Sequence, residues 1–197
     1  MNCINLAVFA SGSGTNAENL IRYFSDNSNI RVTRVLTNNP EAYVLERVKK
    51  YNIETLVFNR GEFYETDLIP DDLKKNEIHW IILAGFLWLV PDNIIKAYPG
   101  RIINIHPALL PKYGGKGMYG DKVHQAVLAS GEKESGITIH YVNNEYDKGN
   151  IIFQARCKTH SSDTAKTLAE RVHDLEYKHY PGVVEKIINK ELTLQSE

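Results

Sequence analysis

Short apolar runs rich in β-branched residues alternate with helical segments through the first half of this 197-residue chain. The first run, Ile4 to Ala10, ends at a glycine-rich loop, and a helical segment follows from Ala17 to Phe24. Strands that alternate with helices favour βαβ units, in which helices cover both faces of a parallel sheet. The alternation therefore predicts an α/β fold with one open, mostly parallel sheet.

The rest of the chain continues this pattern and then changes. Further strands are predicted at Arg31 to Leu36, Glu54 to Phe58, Trp80 to Ala84 and Arg101 to Ile105. The helices between them are predicted at Glu41 to Lys50, Asp67 to Asn76 and Pro91 to Tyr98. After a loop from Pro111 to Gly120, the pattern predicts a helix at Lys122 to Ala129 and antiparallel strands at Gly136 to Asn143 and Ile151 to Lys158. The last segment, Thr164 to Asn189, is predicted to form either two helices or one helix that is kinked at Pro181. An antiparallel extension of the sheet is therefore expected in the C-terminal half.

The composition favours one domain, residues 1–197, that binds a small polar ligand. The net charge is -1, which is not typical of a nucleic-acid binder. The two cysteines, Cys3 and Cys157, lack metal-ligand spacing, and no stretch is apolar for long enough to span a membrane. We expect a cytoplasmic protein without a metal site, without nucleic-acid or membrane partners, and either monomeric or homodimeric.

The loop Ser11-Gly12-Ser13-Gly14-Thr15-Asn16 joins the first strand to the first helix. Free N–H groups at a helix N-terminus favour an anion, and glycine lets the backbone approach it, so this loop is a candidate phosphate site. A plain turn in which Thr15 or Asn16 caps the helix is the alternative. The spacing Gly12-x-Gly14-x-x-Ala17 also matches a dinucleotide fingerprint, but Thr37-Asn38-Asn39 replaces the acidic residue that would hold the ribose.

A second candidate site lies at Asn104-Ile105-His106-Pro107, at the end of a predicted strand. Asn104 and His106 are two residues apart and so share one face of the strand. A neutral amide beside an imidazole suits acyl transfer, because the amide N–H binds a developing oxyanion and the imidazolium donates a proton. A carboxylate would favour the charged histidine, and Asp147 in a Tyr-Asp-Lys-Gly turn is the best candidate, although the sequence alone does not bring it to His106.

The ordered set of motifs resembles the phosphoribosylglycinamide formyltransferase family over nearly the whole chain, from Ile4 to about Leu192. The matching segments are Ser11 to Asn16, Leu83 to Phe86, Asn104 to Tyr113, Gly136 to His140 and Asp147 to Gly149. The resemblance implies a Rossmann-like formyltransferase fold and transfer of the formyl group of 10-formyltetrahydrofolate, a co-substrate, to glycinamide ribonucleotide without a metal. It also implies a phosphate-binding half, 1–100, and a catalytic and folate-binding half, 101–197.

The resemblance assigns a role to each matching residue. Asn104 would bind the oxyanion, His106 would be the catalytic acid, Asp147 would raise the pKa of His106, and His140 would support them. Gly14, Thr15, Asn16, His173 and Glu176 would hold the phosphate and ribose of the ribonucleotide. The walls of the folate site would be Leu87, Trp88, Leu89, Val90, Asn104, Asn143, Asn144, Glu145, Tyr146 and Asp147.

The chain also departs from the family pattern. The segment from Gly114 to Gly120 replaces a shorter loop, so the substrate contacts of that loop are not transferred to this chain. Trp88 occupies a position where arginine is common, and Arg60 is only the nearest counterpart of a folate-proximal arginine.

Related formyltransferases, and two classes outside the family, are the alternatives to this function. Methionyl-tRNA and sugar formyltransferases share the Asn-x-His-Pro strand end, but their first loop differs, and the tRNA enzymes add a basic domain for which this length leaves no room. Deformylases carry an additional N-terminal domain, whereas this chain begins at its first strand. A nicotinamide dehydrogenase and a non-catalytic nucleotide-binding module are the alternatives outside the family.

Overall fold

The computed structural model describes residues 3–196, with side chains described for residues 3–191. One sheet of seven strands runs through the described part of the chain in the order β3-β2-β1-β4-β5-β6-β7. The strands are β1 (Ile4–Phe9), β2 (Ile30–Thr37), β3 (Glu54–Val57), β4 (Ile78–Leu83), β5 (Ile102–His106), β6 (Glu134–Tyr141) and β7 (Ile151–Lys158). The helices are α1 (Thr15–Tyr23), α2 (Val44–Lys49), α3 (Arg60–Tyr64), α4 (Leu68–Lys75), α5 (Asp92–Ala97), α6 (Asp121–Ala129) and α7 (Ala165–Ser196).

The sheet is parallel from β3 to β5 and antiparallel from β5 to β7. This confirms the predicted mostly parallel sheet with an antiparallel extension. The chain leaves β1 towards β2 on one side, while β4 pairs with β1 on the other side. In open α/β sheets such a reversal of strand order opens a crevice at the carboxyl ends of the strands, where ligands bind.

The core lies on both faces of the sheet because successive residues of a strand point to opposite faces. In β1, Leu6 and Val8 pack with residues of α1, α2, α6 and α7. Ala7 and Phe9 pack on the other face with residues of α3, α4 and α5. A strand buried on both faces therefore appears in the sequence as the continuous apolar run at the start of the chain.

One helix is shorter than predicted, and another was not predicted. The segment from Glu41 to Lys50 is helical only over Val44–Lys49, and α3 was not predicted. Helix α3 begins with a capping box, in which the side chain of Asn59 accepts from the backbone N–H of Glu62 and the side chain of Glu62 accepts from the N–H of Asn59. This box fixes a five-residue helix that is too short for hydrophobic periodicity to reveal.

Helix α7 continues through Pro181, so the alternative of two separate helices is wrong. Proline has no N–H, and the carbonyl four residues before it, at Tyr177, loses its helical donor. The Nδ2 amide of Asn19 on α1 donates to this carbonyl at 3.0 Å. A side chain from the neighbouring helix thus satisfies the backbone group that Pro181 leaves open.

Within the described residues, no helix combines the length and the apolar character needed to cross a membrane.

Candidate active site

A cavity of about 630 Å³ opens at the carboxyl ends of β1, β4 and β5. The glycine loop after β1 lines one end of it, together with α7, and the segments that follow β4 and β6 line the other end. Residues from both halves of the chain therefore contribute to one site. The predicted site residues that line it are Gly14, Thr15, Asn16, Leu87, Trp88, Leu89, Val90, Asn104, His106, His140, Asn143, Glu145, Tyr146, Asp147, His173 and Glu176.

Asn144 is the one predicted site residue that does not line this cavity. It is exposed in the turn between β6 and β7, where the neighbouring Asn143 side chain accepts from the N–H of Glu145. That hydrogen bond shapes the turn so that Asn143 and Glu145 line the cavity while Asn144 does not.

Asn104, His106 and Asp147 converge at the centre of the site. Nδ1 of His106 lies 3.5 Å from Oδ2 of Asp147. Nδ2 of Asn104 lies 3.5 Å from Oδ1 of the same carboxylate. The structure therefore supplies the proximity between Asp147 and His106 that the sequence could not establish.

The hydrogen bonds of the two imidazoles fix where their protons lie, because a carbonyl oxygen only accepts. Nε2 of His106 donates to the carbonyl of Tyr113 at 2.7 Å, which leaves Nδ1 facing Asp147. Nδ1 of His140 donates to the carbonyl of Tyr141 at 2.8 Å. Its Nε2 is then free to accept from Nδ2 of Asn104 at 3.0 Å, so His140 orients the amide of Asn104.

Burial and charge act in opposite directions on His106 and Asp147. Burial lowers the pKa of His106, and this effect outweighs the opposing influence of the Asp147 charge. Burial tends to raise the pKa of Asp147, but the neighbouring His140 and His106 and the N–H of Gly115 lower it overall. Asp147 thus favours the charged histidine as expected, although the net pKa shift of His106 is downward.

The loop after Tyr113 holds Asp147 in place. The N–H of Gly115 donates to Oδ2 of Asp147 at 2.8 Å. A Cβ at Gly114 would press against the side chain of Leu110 and against Cβ of Asp147, so glycine favours this close approach. Asp147 itself has a φ of 56°, a left-handed conformation that aspartate tolerates better than most residues. The loop that distinguishes this chain from the family pattern is therefore the segment that anchors the carboxylate.

The glycine loop forms the N-terminus of α1. Gly14 has a φ of 72° and precedes the first helical residue, Thr15, without any side-chain cap. The interpretation of Thr15 or Asn16 as a helix cap is therefore wrong, and Gly14, Thr15 and Asn16, at the start of α1, line this end of the cavity. The side chain of Asn16 instead donates to Oε2 of Glu176 on α7 at 2.7 Å.

Backbone groups and aromatic rings build the opposite end of the cavity. The N–H of Leu89 donates to Oη of Tyr146 at 3.1 Å, and Oη of Tyr64 donates to the carbonyl of Leu89 at 2.9 Å. Arg60 lies over Tyr64 and over the ring of Trp88, at 4.9 and 5.8 Å from their centroids. Arg60 does not line the cavity but supports the tryptophan that does.

Sequence reasoning missed His124 and Tyr180. His124 on α6 is buried and lines the cavity. Tyr180 on α7 is fully buried, and its hydroxyl contacts the carbonyls of Leu83 and Ile103 at 2.8 and 3.3 Å, at the end of β4 and near the start of β5. Neither residue lies in a motif, so the packing of α6 and α7 on the sheet was the only signal that could have identified them.

Among the residues that the structure describes, no three His, Cys, Asp or Glu side chains are grouped so that they could hold a metal ion.

Comparison with known proteins places this geometry among formyltransferases. A family model described as formyl transferase matches residues 4–184. The phosphoribosylglycinamide formyltransferase of Bacillus subtilis is 38% identical over 92% of this chain and 93% of its own length. The chloroplastic enzyme of the same name from Arabidopsis thaliana is 43% identical over 95% of this chain. The chain spans about two thirds of the length of two chloroplastic relatives, 66% and 63%.

Solved structures give the same result. The phosphoribosylglycinamide formyltransferase of Anaplasma phagocytophilum superposes with a TM-score of 0.86 at 33% identity, over 96% of this chain and 89% of that one. The structure of the protein of the same name from Bacillus halodurans gives a TM-score of 0.85 at 34% identity, over 95% of this chain and 96% of that one.

Proposed function

The chain belongs to the formyl transferase family, among its phosphoribosylglycinamide formyltransferases, and we propose that it formylates glycinamide ribonucleotide in de novo purine synthesis. The formyl group comes from 10-formyltetrahydrofolate and is received by the amine of N1-(5-phosphoribosyl)glycinamide. The observation that carries this proposal is the convergence of Asn104, His106 and Asp147 in a cavity whose other end is a helix N-terminus.

In this reaction the amine nitrogen attacks the formyl carbon, and the carbonyl electron pair moves onto the oxygen. Collapse of the tetrahedral intermediate breaks the bond to N10 of the folate, which leaves with a proton, while the attacking nitrogen loses one. The chain supplies the groups for both events. An amide N–H beside the reaction centre stabilises the oxyanion, and an imidazolium donates a proton.

The two N–H bonds of Asn104 have different partners. One is directed to Nε2 of His140 at 3.0 Å, and the other reaches Asp147 only at 3.5 Å, the limit of a hydrogen bond. The longer contact leaves that N–H available to a developing oxyanion. His140 therefore holds the amide by one hydrogen while the other binds the reacting oxygen.

The charges of the cavity suit a substrate that carries a phosphate at one end. The first turn of α1 offers N–H groups and the positive end of a helix dipole to the phosphate. Glu176 and the exposed His173 on α7 lie beside it and would contact the ribose. The segments Leu87 to Val90 and Asn143 to Asp147 would hold the folate, largely through backbone groups.

This function requires no bound metal, nucleic acid or membrane, and we assign the protein to the cytoplasm as a monomer or homodimer. One domain, 1–197, would carry the activity, with residues 1–2 and 197 outside the described part of the chain. The first half would supply the phosphate loop, and the second half would supply the catalytic residues and part of the folate site.

The test is a formyl-transfer assay with 10-formyl-dideazafolate and glycinamide ribonucleotide, followed by absorbance of the released folate product. Turnover that His106→Ala abolishes supports the proposal. Turnover only with an amino sugar as acceptor would overturn the assignment of the acceptor and leave the chemistry in place. A fluorescence titration with NADH serves as the control for the dehydrogenase alternative, and we expect no binding, since β2 ends at Thr37 without an acidic residue for the ribose.

A further inference from the structure

His124 is a buried histidine that lines the cavity and that the mechanism above does not use. It lies on α6, is 2% exposed, and belongs to the wall of the cavity that contains His106, His173 and the glycine loop. Its Nδ1 is buried without a hydrogen-bond partner among the described residues. A buried polar side chain with an open hydrogen-bond position is costly, and because His124 lines the cavity, a bound ligand is the neighbour that can offer the ring a polar partner.

The surroundings of His124 decide which kind of group it can bind. Burial lowers the pKa of His124 to about 4, helped by the nearby His173 and His106 and opposed by Asp121. The ring is therefore neutral near pH 7, and it offers one N–H donor and one nitrogen acceptor. Such a ring does not serve as a counter-ion for phosphate but does suit uncharged polar atoms.

The position of His124 identifies the part of the substrate. It lines the same cavity as His106, at the reaction centre, and His173, at the ribonucleotide end. The segment of the acceptor between these two ends consists of the ribose and the glycinamide amide, whose hydroxyl, N–H and carbonyl groups are uncharged donors and acceptors.

We propose that His124 binds the ribose-glycinamide segment of the acceptor through a neutral hydrogen bond and so positions its amine. This proposal rests on the function proposed above. It gives α6, which packs against α7 and lines the cavity, a role in binding the substrate. His124 would then set the affinity for the ribonucleotide and not for the folate.

The test compares His124→Phe, which keeps the aromatic volume but loses the hydrogen bond, with His124→Asn, which keeps a donor and an acceptor. For His124→Phe we expect a KM for glycinamide ribonucleotide that is higher by roughly tenfold, an unchanged KM for the formyl donor and a kcat within about twofold. His124→Asn recovers part of the affinity. His160→Phe, at an exposed histidine outside the cavity, is the matched control.

If His124 serves packing alone, His124→Phe would raise both KM values together and lower the thermal midpoint. Either that result or an unchanged KM for the ribonucleotide would overturn the proposal.

A measurement on the wild-type protein covers the case in which the variants fail to fold. In ¹⁵N-histidine-labelled protein, the imidazole signals of His124 should move when glycinamide ribonucleotide is added and stay in place with 10-formyl-dideazafolate. If the wild-type protein turns over but the His124 signals do not move with the ribonucleotide, the inference is overturned and the proposed function stands. If the wild-type protein shows no turnover, the proposed function itself is contradicted.

Discussion

Asn104 and His140 lie directly opposite each other in the antiparallel ladder between β5 and β6, and the amide of Asn104 donates to the imidazole of His140 at 3.0 Å. The register of two strands therefore sets the orientation of the Asn104 amide, which we propose binds the oxyanion. A shift of one residue would turn either side chain to the other face of the sheet. The antiparallel extension therefore contributes to the candidate active site through β6.

Asp147→Asn should lower kcat by about 10²- to 10⁴-fold, with little change in either KM, because His106 loses the carboxylate that favours its charged form. The amide side chain is nearly the same size, so the fold should be retained. The measurement is the formyl-transfer assay described above. Asp71→Asn, at an exposed position on α4, is the control, and an unchanged kcat in Asp147→Asn would remove Asp147 from the mechanism.

Gly14→Ala should lower the free energy of unfolding by more than about 2 kcal/mol. The left-handed φ of 72° disfavours a side chain, and the added Cβ would overlap the side chain of Val44 on α2. Gly131→Ala provides a matched control, because its φ is 66° and no atom lies within 4 Å of the added Cβ. That variant should lose only about 1 kcal/mol. Urea unfolding measures both, and equal losses would show that the contact with Val44 costs nothing.

Tyr180→Phe should lower the free energy of unfolding by about 1–2 kcal/mol, since the buried hydroxyl no longer contacts the carbonyls of Leu83 and Ile103. Ile103 precedes Asn104, so we also expect a severalfold lower kcat. In the control Tyr98→Phe, the lost hydrogen bond goes to the carbonyl of Ile78, at the far end of β4. This variant should lose stability and keep its kcat. A normal kcat in Tyr180→Phe would restrict Tyr180 to a structural role.

The stability of the protein should fall as the pH is lowered from about 6.5 to about 4, in part because of His124. Its pKa in the folded protein is below that in the unfolded chain, so the unfolded state binds more protons in this window. Urea unfolding at pH 7 and pH 5 should show a larger loss for the wild type than for His124→Phe. The comparison of the two proteins cancels the titration of the other groups. An equal loss in both would mean that His124 titrates normally in the folded state.

The sequence predicted the sheet because its evidence is local. Apolar runs such as Ile4 to Ala10 and the turn chemistry of the glycine loop act over a few residues, and the predicted bounds of β1 and β7 agree with the structure to within one residue. Helix α3 could also have been predicted, since the Asn59 and Glu62 of its capping box have the expected spacing in the sequence.

The contacts between distant segments could not be predicted in this way. Asp147 was assigned to His106 mainly through a family resemblance, because the proximity depends on how the turn after β6 meets the loop after β5. His124 gave no signal, as its burial arises where α6 packs on the sheet and on α7. The pKa of His106 also depends on burial, which outweighs the neighbouring charge and which no motif reports.

The proton on Nε2 of His106 is held by the main-chain carbonyl of Tyr113, a residue with a φ of 57°. The identity of the side chain at position 113 does not supply this acceptor, so the tautomer of the histidine is encoded in the path of the backbone. Substitutions at position 113 would change the side chain and leave the backbone carbonyl that accepts the hydrogen bond in place. Engineering of the tautomer of His106 would therefore have to redesign the loop between β5 and α6 and not a single residue.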